Sequence, residues 1–292
     1  MAYRGRFAPS PTGPLHIGSL YTAVASFLQA RAQHGKWLLR IDDLDPFRCK
    51  ASYSQKILHT LERYGLHWDE QVLYQSSQHG SYREALNLLR QQKYLYPCVC
   101  SRKDLTQRQL SNGVYDQHCL NQPLSNSQAY AMRIKLNADN TFFEDLVQGA
   151  QQQSLKKQVG DFIVFRKDQV FAYHLAVVVD DNKQQVTEVL RGYDLLDSTF
   201  RQIYLQHLLG IEQVNYAHIP TINDSTGAKL SKQTFASDIS LSPVRQTLIR
   251  VLDYLNLNPP KELLDLEPDA ILNWATNEWS ISKIKPQKSI DF

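Results

Sequence analysis

Arg6-Phe-Ala-Pro-Ser10-Pro-Thr-Gly-Pro-Leu-His16-Ile-Gly18-Ser19 is the stretch on which the fold turns. Ahead of its loop, Arg4 to Ala8 reads as a short strand, and Pro9 to Pro14 as the loop itself. Beyond it, Leu20, Val24, Phe27, Leu28 and Ala32 recur at helical spacing, which predicts a helix from His16 to His34 with Gly35 as its C-terminal cap. Lys36 to Ile41, KWLLRI, then reads as a buried strand ending in Asp42-Asp43-Leu44-Asp45. Strand, loop, helix and strand in succession predict a parallel α/β unit. Ligands of such sheets bind beyond the carboxyl ends of the strands. Gly13 and Gly18 permit close backbone approach there, and the helix start offers unpaired N–H groups and a positive dipole end to a phosphate. His16 suits either donation to a phosphate oxygen or a simple helix cap.

Working outward, helices are expected near Ser54–Tyr64, from a capping box at Ser81-Tyr-Arg-Glu84, and over Thr199–Leu209. Strand character marks Phe162–Phe165, Phe171–Val179, Val186–Leu190 and His218–Ile222. A capping box at Ser242, with Pro243 at the first helical position, opens a helical C-terminal region. Leu95 to Leu155 is less regular and too long for an idle loop, so it reads as an insertion.

The 292 residues are 42% apolar and 21% charged, ordinary globular composition that argues against disorder. No apolar run approaches the roughly 18 residues of a membrane span, and Met1 to Pro14 lacks a hydrophobic signal core. A membrane or secreted protein is therefore not expected, and the four cysteines should be reduced. The net charge of +3 decides little, but its distribution is uneven. Residues 1–40 carry Arg4, Arg6, Arg31, Lys36 and Arg40 and no acid, which suits an anionic ligand or a solvated basic surface.

Two further constellations carry chemistry. Lys229-Leu-Ser-Lys232-Gln233 places two lysines three apart around a hydroxyl, able to clamp a polyphosphate as charge builds on a transferring group. Cys98-Val-Cys100 with Cys119 is consistent with a structural zinc site, since thiolates favour tetrahedral Zn²⁺. From the residues alone the fourth ligand is open between Tyr115 and His118. Cys49 reads as a small apolar residue, and Asp43 and Asp45 as capping carboxylates.

Together, the first stretch and Lys229–Gln233 resemble the HIGH and KMSKS signatures of class I aminoacyl-tRNA synthetases. R-F-A-P-S-P-T-G-x-L-H-I-G, R-I-D-D-x-D, G-D-F, Y-H-L-A-V-V-V-D-D, V-L-R-G-x-D-L and A-K-L-S-K, in family order over residues 3–235, are similar to the glutamyl branch. Only 59 residues follow Gln233, so the chain resembles the truncated glutamyl-Q tRNA(Asp) synthetase family rather than the full glutamyl enzymes.

The resemblance implies a Rossmann-type parallel-sheet catalytic domain with a zinc-bearing insertion and a short helical tail. The expected boundaries are 1–95 and 161–235 for the catalytic halves, 96–160 for the insertion and 236–292 for the stem-contact-like tail, with no anticodon-binding domain. It implies an ATP-dependent ligase that activates L-glutamate, with Mg²⁺, and joins it to queuosine in the anticodon of tRNA(Asp). His16, Gly18, Ser19 and Lys232 would contact ATP, and His16, Lys229 and Lys232 would be catalytic. Arg6, Phe7, Ala8, Pro9, Ser10, Asp42, Tyr173 and Arg191 would bind glutamate, with Asp42 on its ammonium. Relatives commonly have Glu where Asp42 stands and Asn where His174 stands. Cys98, Cys100, Tyr115 and Cys119 would hold one Zn²⁺. A cytoplasmic monomer is expected. The alternatives are a truncated glutamyl-tRNA synthetase charging a tRNA 3′ end, and a non-catalytic binding module on the same fold.

Overall fold

The computed structural model describes residues 2–108, 114–123, 129–137, 140–223 and 238–291. Its elements, in chain order, begin with β1 (Arg4–Phe7), α1 (Ile17–Ala32), β2 (Lys36–Ile41), α2 (Ala51–Arg63), β3 (Asp69–Tyr74), α3 (His79–Gln91), β4 (Leu95–Cys98) and α4 (Arg102–Gln107). They continue with β5 (Ala131–Ile134), β6 (Asn140–Asp145), β7 (Gly149–Ser154), α5 (Leu155–Gln158), β8 (Ile163–Phe165), α6 (Tyr173–Lys183), β9 (Glu188–Gly192) and α7 (Leu196–Leu209). The last are β10 (Asn215–Ile219), β11 (Thr221–Asn223), α8 (Val244–Tyr254), α9 (Pro268–Glu278) and β12 (Ser289–Asp291).

The parallel α/β unit forms as its periodicity requires: β1, β2 and β3 are parallel neighbours, with Arg6 opposite Leu38. A second sheet runs β7-β6-β10-β9, parallel except for the β6–β7 hairpin. The amide of Thr187 donates to the Arg4 carbonyl at 2.9 Å and ties the sheets edge to edge. Helix α1 buries Leu20, Val24 and Leu28 against this sheet, and α8 and α9 pack onto it through Leu248, Leu252, Ile271 and Ala275. A second apolar cluster lies under α3, α6 and α7. Among the described residues no helix is long and apolar enough to cross a membrane.

Several elements differ from the sequence expectation. Phe171–Val179 is not a strand: from Tyr173 it is helix α6, despite the β-branched run Val177-Val178-Val179. Burial of Leu175, Ala176, Val177 and Val178 overrides the local preference. Helix α3 starts two residues before Ser81 and uses no capping box, and α8 starts after Pro243 rather than at it. Residues 289–291 form a strand beside β11. The span 96–160 is divided between two sheets. β4 pairs with β5 and β5 with β8, which lies beyond residue 160, whereas β6 and β7 extend the main sheet through β10.

Gly35 has a different role from the one expected. His34 takes the left-handed conformation (φ 50) after α1, and the amide of Gly35 bonds the Ala30 carbonyl at 2.9 Å, a Schellman closure. What Gly35 provides is close approach, since a Cβ there would lie 2.4 Å from the Tyr3 carbonyl oxygen. Gly35→Ala should therefore cost about 1–3 kcal/mol of stability by overpacking backbone against backbone. Chemical denaturation checks it, with an unchanged midpoint as the contrary result.

Candidate active site

A cleft of about 1160 Å³ opens at the carboxyl ends of β1, β2 and β9, where the two sheets meet. Every described residue assigned to ATP or glutamate lines it. Arg6 and Phe7 come from β1, Ala8, Pro9 and Ser10 from the loop after it, and His16, Gly18 and Ser19 from the start of α1. Asp42 follows β2, Tyr173 opens α6 and Arg191 closes β9. The backbone joins two of these groups, because the amide of Asp42 donates to the Pro9 carbonyl at 3.0 Å. Lys229 and Lys232 lie outside the described residues.

His16 is the N-cap of α1: its Nδ1 accepts from the Ser19 amide at 3.3 Å, and its Nε2 lies 3.0 Å from Ser19 Oγ. Capping and lining the cleft are thus compatible in one side chain. With Nδ1 an acceptor, the assigned tautomer carries its proton on Nε2.

Beneath the cleft lies a charge cluster that the sequence reading missed. Arg6 donates through Nε and Nη2 to Asp181 (3.1 and 3.4 Å), so its bidentate fork is already taken and Nη1 is left. Arg40, fully buried, donates to Asp42 at 2.8 Å and to Asp181 at 2.6 Å. Asp180 accepts from Tyr82 at 2.7 Å and Gln75 at 2.8 Å, and burial pushes its carboxyl up to about 6. Burial also raises Asp42, against the pull of Arg40 and Arg6. An incoming ammonium would favour its ionised form. Asp181 is buried too, yet Arg6 and Arg40 hold it below the usual carboxylate range. The signal for this cluster was Arg40 itself, a guanidinium inside an apolar strand that demands acidic partners.

Arg191 is held differently. Its Nε donates to His218 Nε2 at 3.0 Å, and its Nη2 to Thr199 Oγ1 at 2.7 Å and Gln202 Oε1 at 2.8 Å. Its Nη1 is buried with no hydrogen-bond partner, and it makes no ion pair among the described residues. Arg191 is thus a 4% exposed arginine on the cleft with neutral partners and one orphaned donor, an arrangement that could accept an anion.

Known proteins show the family to which these motifs belong. The family model for the catalytic domain of class I tRNA synthetases (E and Q) matches residues 2–255. The glutamyl-Q tRNA(Asp) synthetase of Methylococcus capsulatus is 46% identical over 290 residues, covering 99% of this chain and 95% of that protein. The chain belongs to the glutamyl-Q tRNA(Asp) synthetase family. Its counterpart in Neisseria meningitidis is 44% identical over 288 residues, covering 97% of each chain. The glutamate-tRNA synthetase of Elizabethkingia anophelis shares the fold, with a TM-score of 0.83 at 21% identity over 100% of this chain and 68% of that one. Like the glutamyl-Q tRNA(Asp) synthetases, the chain is a ligase with the class I synthetase catalytic domain, for which ATP and Mg²⁺ are expected.

Next to the cleft, the cysteine cluster is assembled. Cys98 Sγ lies 3.4 Å and Cys100 Sγ 3.7 Å from the Tyr115 hydroxyl, and Cys100 Sγ lies 3.5 Å from Cys119 Sγ. The three sulfurs fall within 4.8 Å of one another. A Zn–S bond of about 2.3 Å gives tetrahedral edges of about 3.8 Å, so these four atoms fit the corners of such a site. His118 is exposed, and its Nε2 lies 3.4 Å from Gln122. The Arg133 guanidinium lies 3.6 Å from the Tyr115 ring centroid. Cys49, outside the cluster, lines the cleft instead. Asp43 bonds the Ser76 amide at 2.8 Å and Asp45 the Phe47 amide at 3.1 Å, holding turns as expected.

His174, beside Tyr173, is pushed down to about 3, first by burial and then by Arg201 and Arg191. Its Nδ1 has no partner among the described residues. Between about pH 6.5 and 3 the unfolded chain binds a proton that the folded chain refuses, so stability falls as pH falls. His174→Asn should remove up to about 2 kcal/mol of the loss between pH 7 and pH 5. Urea denaturation at the two pH values checks it, and equal losses in variant and wild type would contradict the assignment.

Proposed function

We propose that this protein activates L-glutamate with ATP and joins it to queuosine in the anticodon of tRNA(Asp). The observation that carries the reading is the buried, unpaired Nη1 of Arg191, on the same cleft as Arg6, Asp42 and Tyr173. The names of the Methylococcus capsulatus and Neisseria meningitidis relatives support the same RNA.

Glutamate brings two carboxylates and an ammonium. The α-carboxylate must attack the α-phosphate of ATP, and a nucleophile locked in an ion pair attacks poorly. Arg191, with the free Nη1 of Arg6, therefore takes the side-chain carboxylate, while Asp42 accepts from the ammonium. Tyr173 closes the pocket, and Phe7, Ala8, Pro9 and Ser10 shape its floor. The attacking carboxylate is already ionised at pH 7, so no general base is required. Catalysis is positioning and charge neutralisation. The start of α1 at Gly18 and Ser19, with His16 Nε2–H, binds ATP phosphates. Lys229 and Lys232 neutralise charge on the α-phosphoryl group as the glutamate oxygen bonds to it and pyrophosphate leaves, giving glutamyl-adenylate. Mg²⁺ accompanies the nucleotide and neutralises phosphate oxygens. A queuosine hydroxyl then attacks the glutamyl-adenylate and releases AMP. Unstacked anticodon-loop bases can be presented to such a cleft. The cytoplasm, which holds ATP and tRNA, is the compartment this requires, and a monomer suffices.

Cys98, Cys100, Tyr115 and Cys119 hold one structural Zn²⁺, which clamps the excursion after β4 and takes no part in the chemistry. Metal analysis should find one zinc per chain. Tyr115→Phe should weaken retention against a chelator, whereas His118→Ala should not. The reverse pattern would assign the fourth corner to His118.

The deciding assay uses radiolabelled glutamate, ATP and tRNA(Asp) with and without queuosine, followed by nuclease mapping. Label on the anticodon nucleotide, only in queuosine-containing tRNA, is expected. Label on the terminal adenosine would mean 3′ charging. Absence of glutamate-dependent pyrophosphate exchange, with or without tRNA, would point to a binding module.

A further inference from the structure

We propose that Asp145 and His218 are positioning residues for Arg191: they fix its guanidinium by a neutral relay that aims Nη1 into the cleft without consuming its charge. The inference rests on the reading of Arg191 as the carboxylate site.

The three residues come from neighbouring strands, β6, β10 and β9, and are buried. Asp145 Oδ1 accepts three backbone amides, those of His218 (3.1 Å), Val147 (3.0 Å) and Gln148 (2.9 Å). Its Oδ2 lies 2.5 Å from His218 Nδ1. An oxygen pair so engaged is a carboxylate that accepts only, so Nδ1 must carry the imidazole proton. Nε2 is then a lone pair, and a guanidinium N–H, which can only donate, faces it at 3.0 Å. Thr199 Oγ1 stands 3.1 Å from the same nitrogen and accepts from Arg191 Nη2 at 2.7 Å. The arrangement that satisfies every donor facing the imidazole is Asp145 charged, His218 neutral and Arg191 charged. Burial agrees, since it drives His218 below its ordinary value even against Asp145.

The chemical consequence follows from comparison with Arg6. There a carboxylate grips the guanidinium directly, so it sets the orientation and offsets part of the charge. At Arg191 the anion stands one imidazole further away. The geometry is as firm, but the positive charge is left for a ligand. Asp145 belongs to the segment that extends the main sheet, so β6 contributes to the glutamate pocket without touching it.

The test separates the two halves of the imidazole. Asn overlays Nδ1 and keeps the donor to Asp145 but offers Arg191 nothing. Gln overlays Nε2 and keeps an acceptor for Arg191. Glutamate-dependent pyrophosphate exchange should show the KM for glutamate raised about tenfold or more in His218→Asn, and much less in His218→Gln, with the KM for ATP unchanged in both. Asp145→Asn should match His218→Asn, because an amide facing Nδ1 forces the other tautomer and sets two donors against each other. Arg191→Ala is the control. If it raises the glutamate KM while His218→Asn and Asp145→Asn do not, the relay is wrong. If it leaves the glutamate KM unchanged, the carboxylate reading of Arg191 fails instead. Nitrogen-15 NMR of the wild-type protein is independent of any variant. His218 protonated on Nδ1 and not Nε2 is expected, and the opposite tautomer overturns the proposal.

Discussion

The guanidinium of Arg40 is the pivot of this molecule. It is completely buried in β2, and it reaches Asp42 at the end of its own strand and Asp181 near the end of α6. Asp181 in turn holds Arg6 on β1. Two strands and a helix are thus joined by buried charges. Removing one member of such a network typically costs about 3–5 kcal/mol, because the others are left uncompensated. The functional consequence is greater than the energetic one. Arg6, Asp42 and, through the placement of α6, Tyr173 and His174 all take their positions on the cleft from this cluster.

Two arginines on the same cleft are handled in opposite ways. Arg6 is neutralised by Asp181, whereas Arg191 is surrounded by an imidazole, a hydroxyl and an amide. Burying an uncompensated guanidinium is costly in the empty protein. In the proposed reading that cost is recovered when a carboxylate enters. On the same reading a neutral amide there would leave the charge unmet, and glutamine would be disfavoured.

The parts of the fold legible in the sequence were those set by local pattern. β1, α1 and β2 follow from apolar spacing and from the loop between them, and the cleft-lining residues follow from that loop. What was illegible depended on partners far away in the chain. Val177-Val178-Val179 reads as a strand until Asp180 and Asp181 are seen reaching Gln75, Arg40 and Arg6 from a helix. β6 lies within the expected insertion because its partner, β10, comes some 70 residues later, and Asp145 and His218 gave no local sign of meeting. The cysteine spacing suggested a metal-binding arrangement and the family resemblance pointed to Tyr115; the fold brings the Tyr115 hydroxyl to the sulfurs and leaves His118 exposed. Gly35 was expected as the C-terminal cap of α1, a left-handed position that His34 fills instead; its close approach to Tyr3 had no sign in the local sequence.

The most direct measurement is a structure of the protein with glutamate bound. The account predicts a carboxylate oxygen within hydrogen-bond distance of Arg191 Nη1 and the ammonium on Asp42, with the Arg6–Asp181 and Arg191–His218 bonds intact. Glutamate seated in the cleft without touching Arg191, or an Arg6 that abandons Asp181 to bind it alone, would contradict the account.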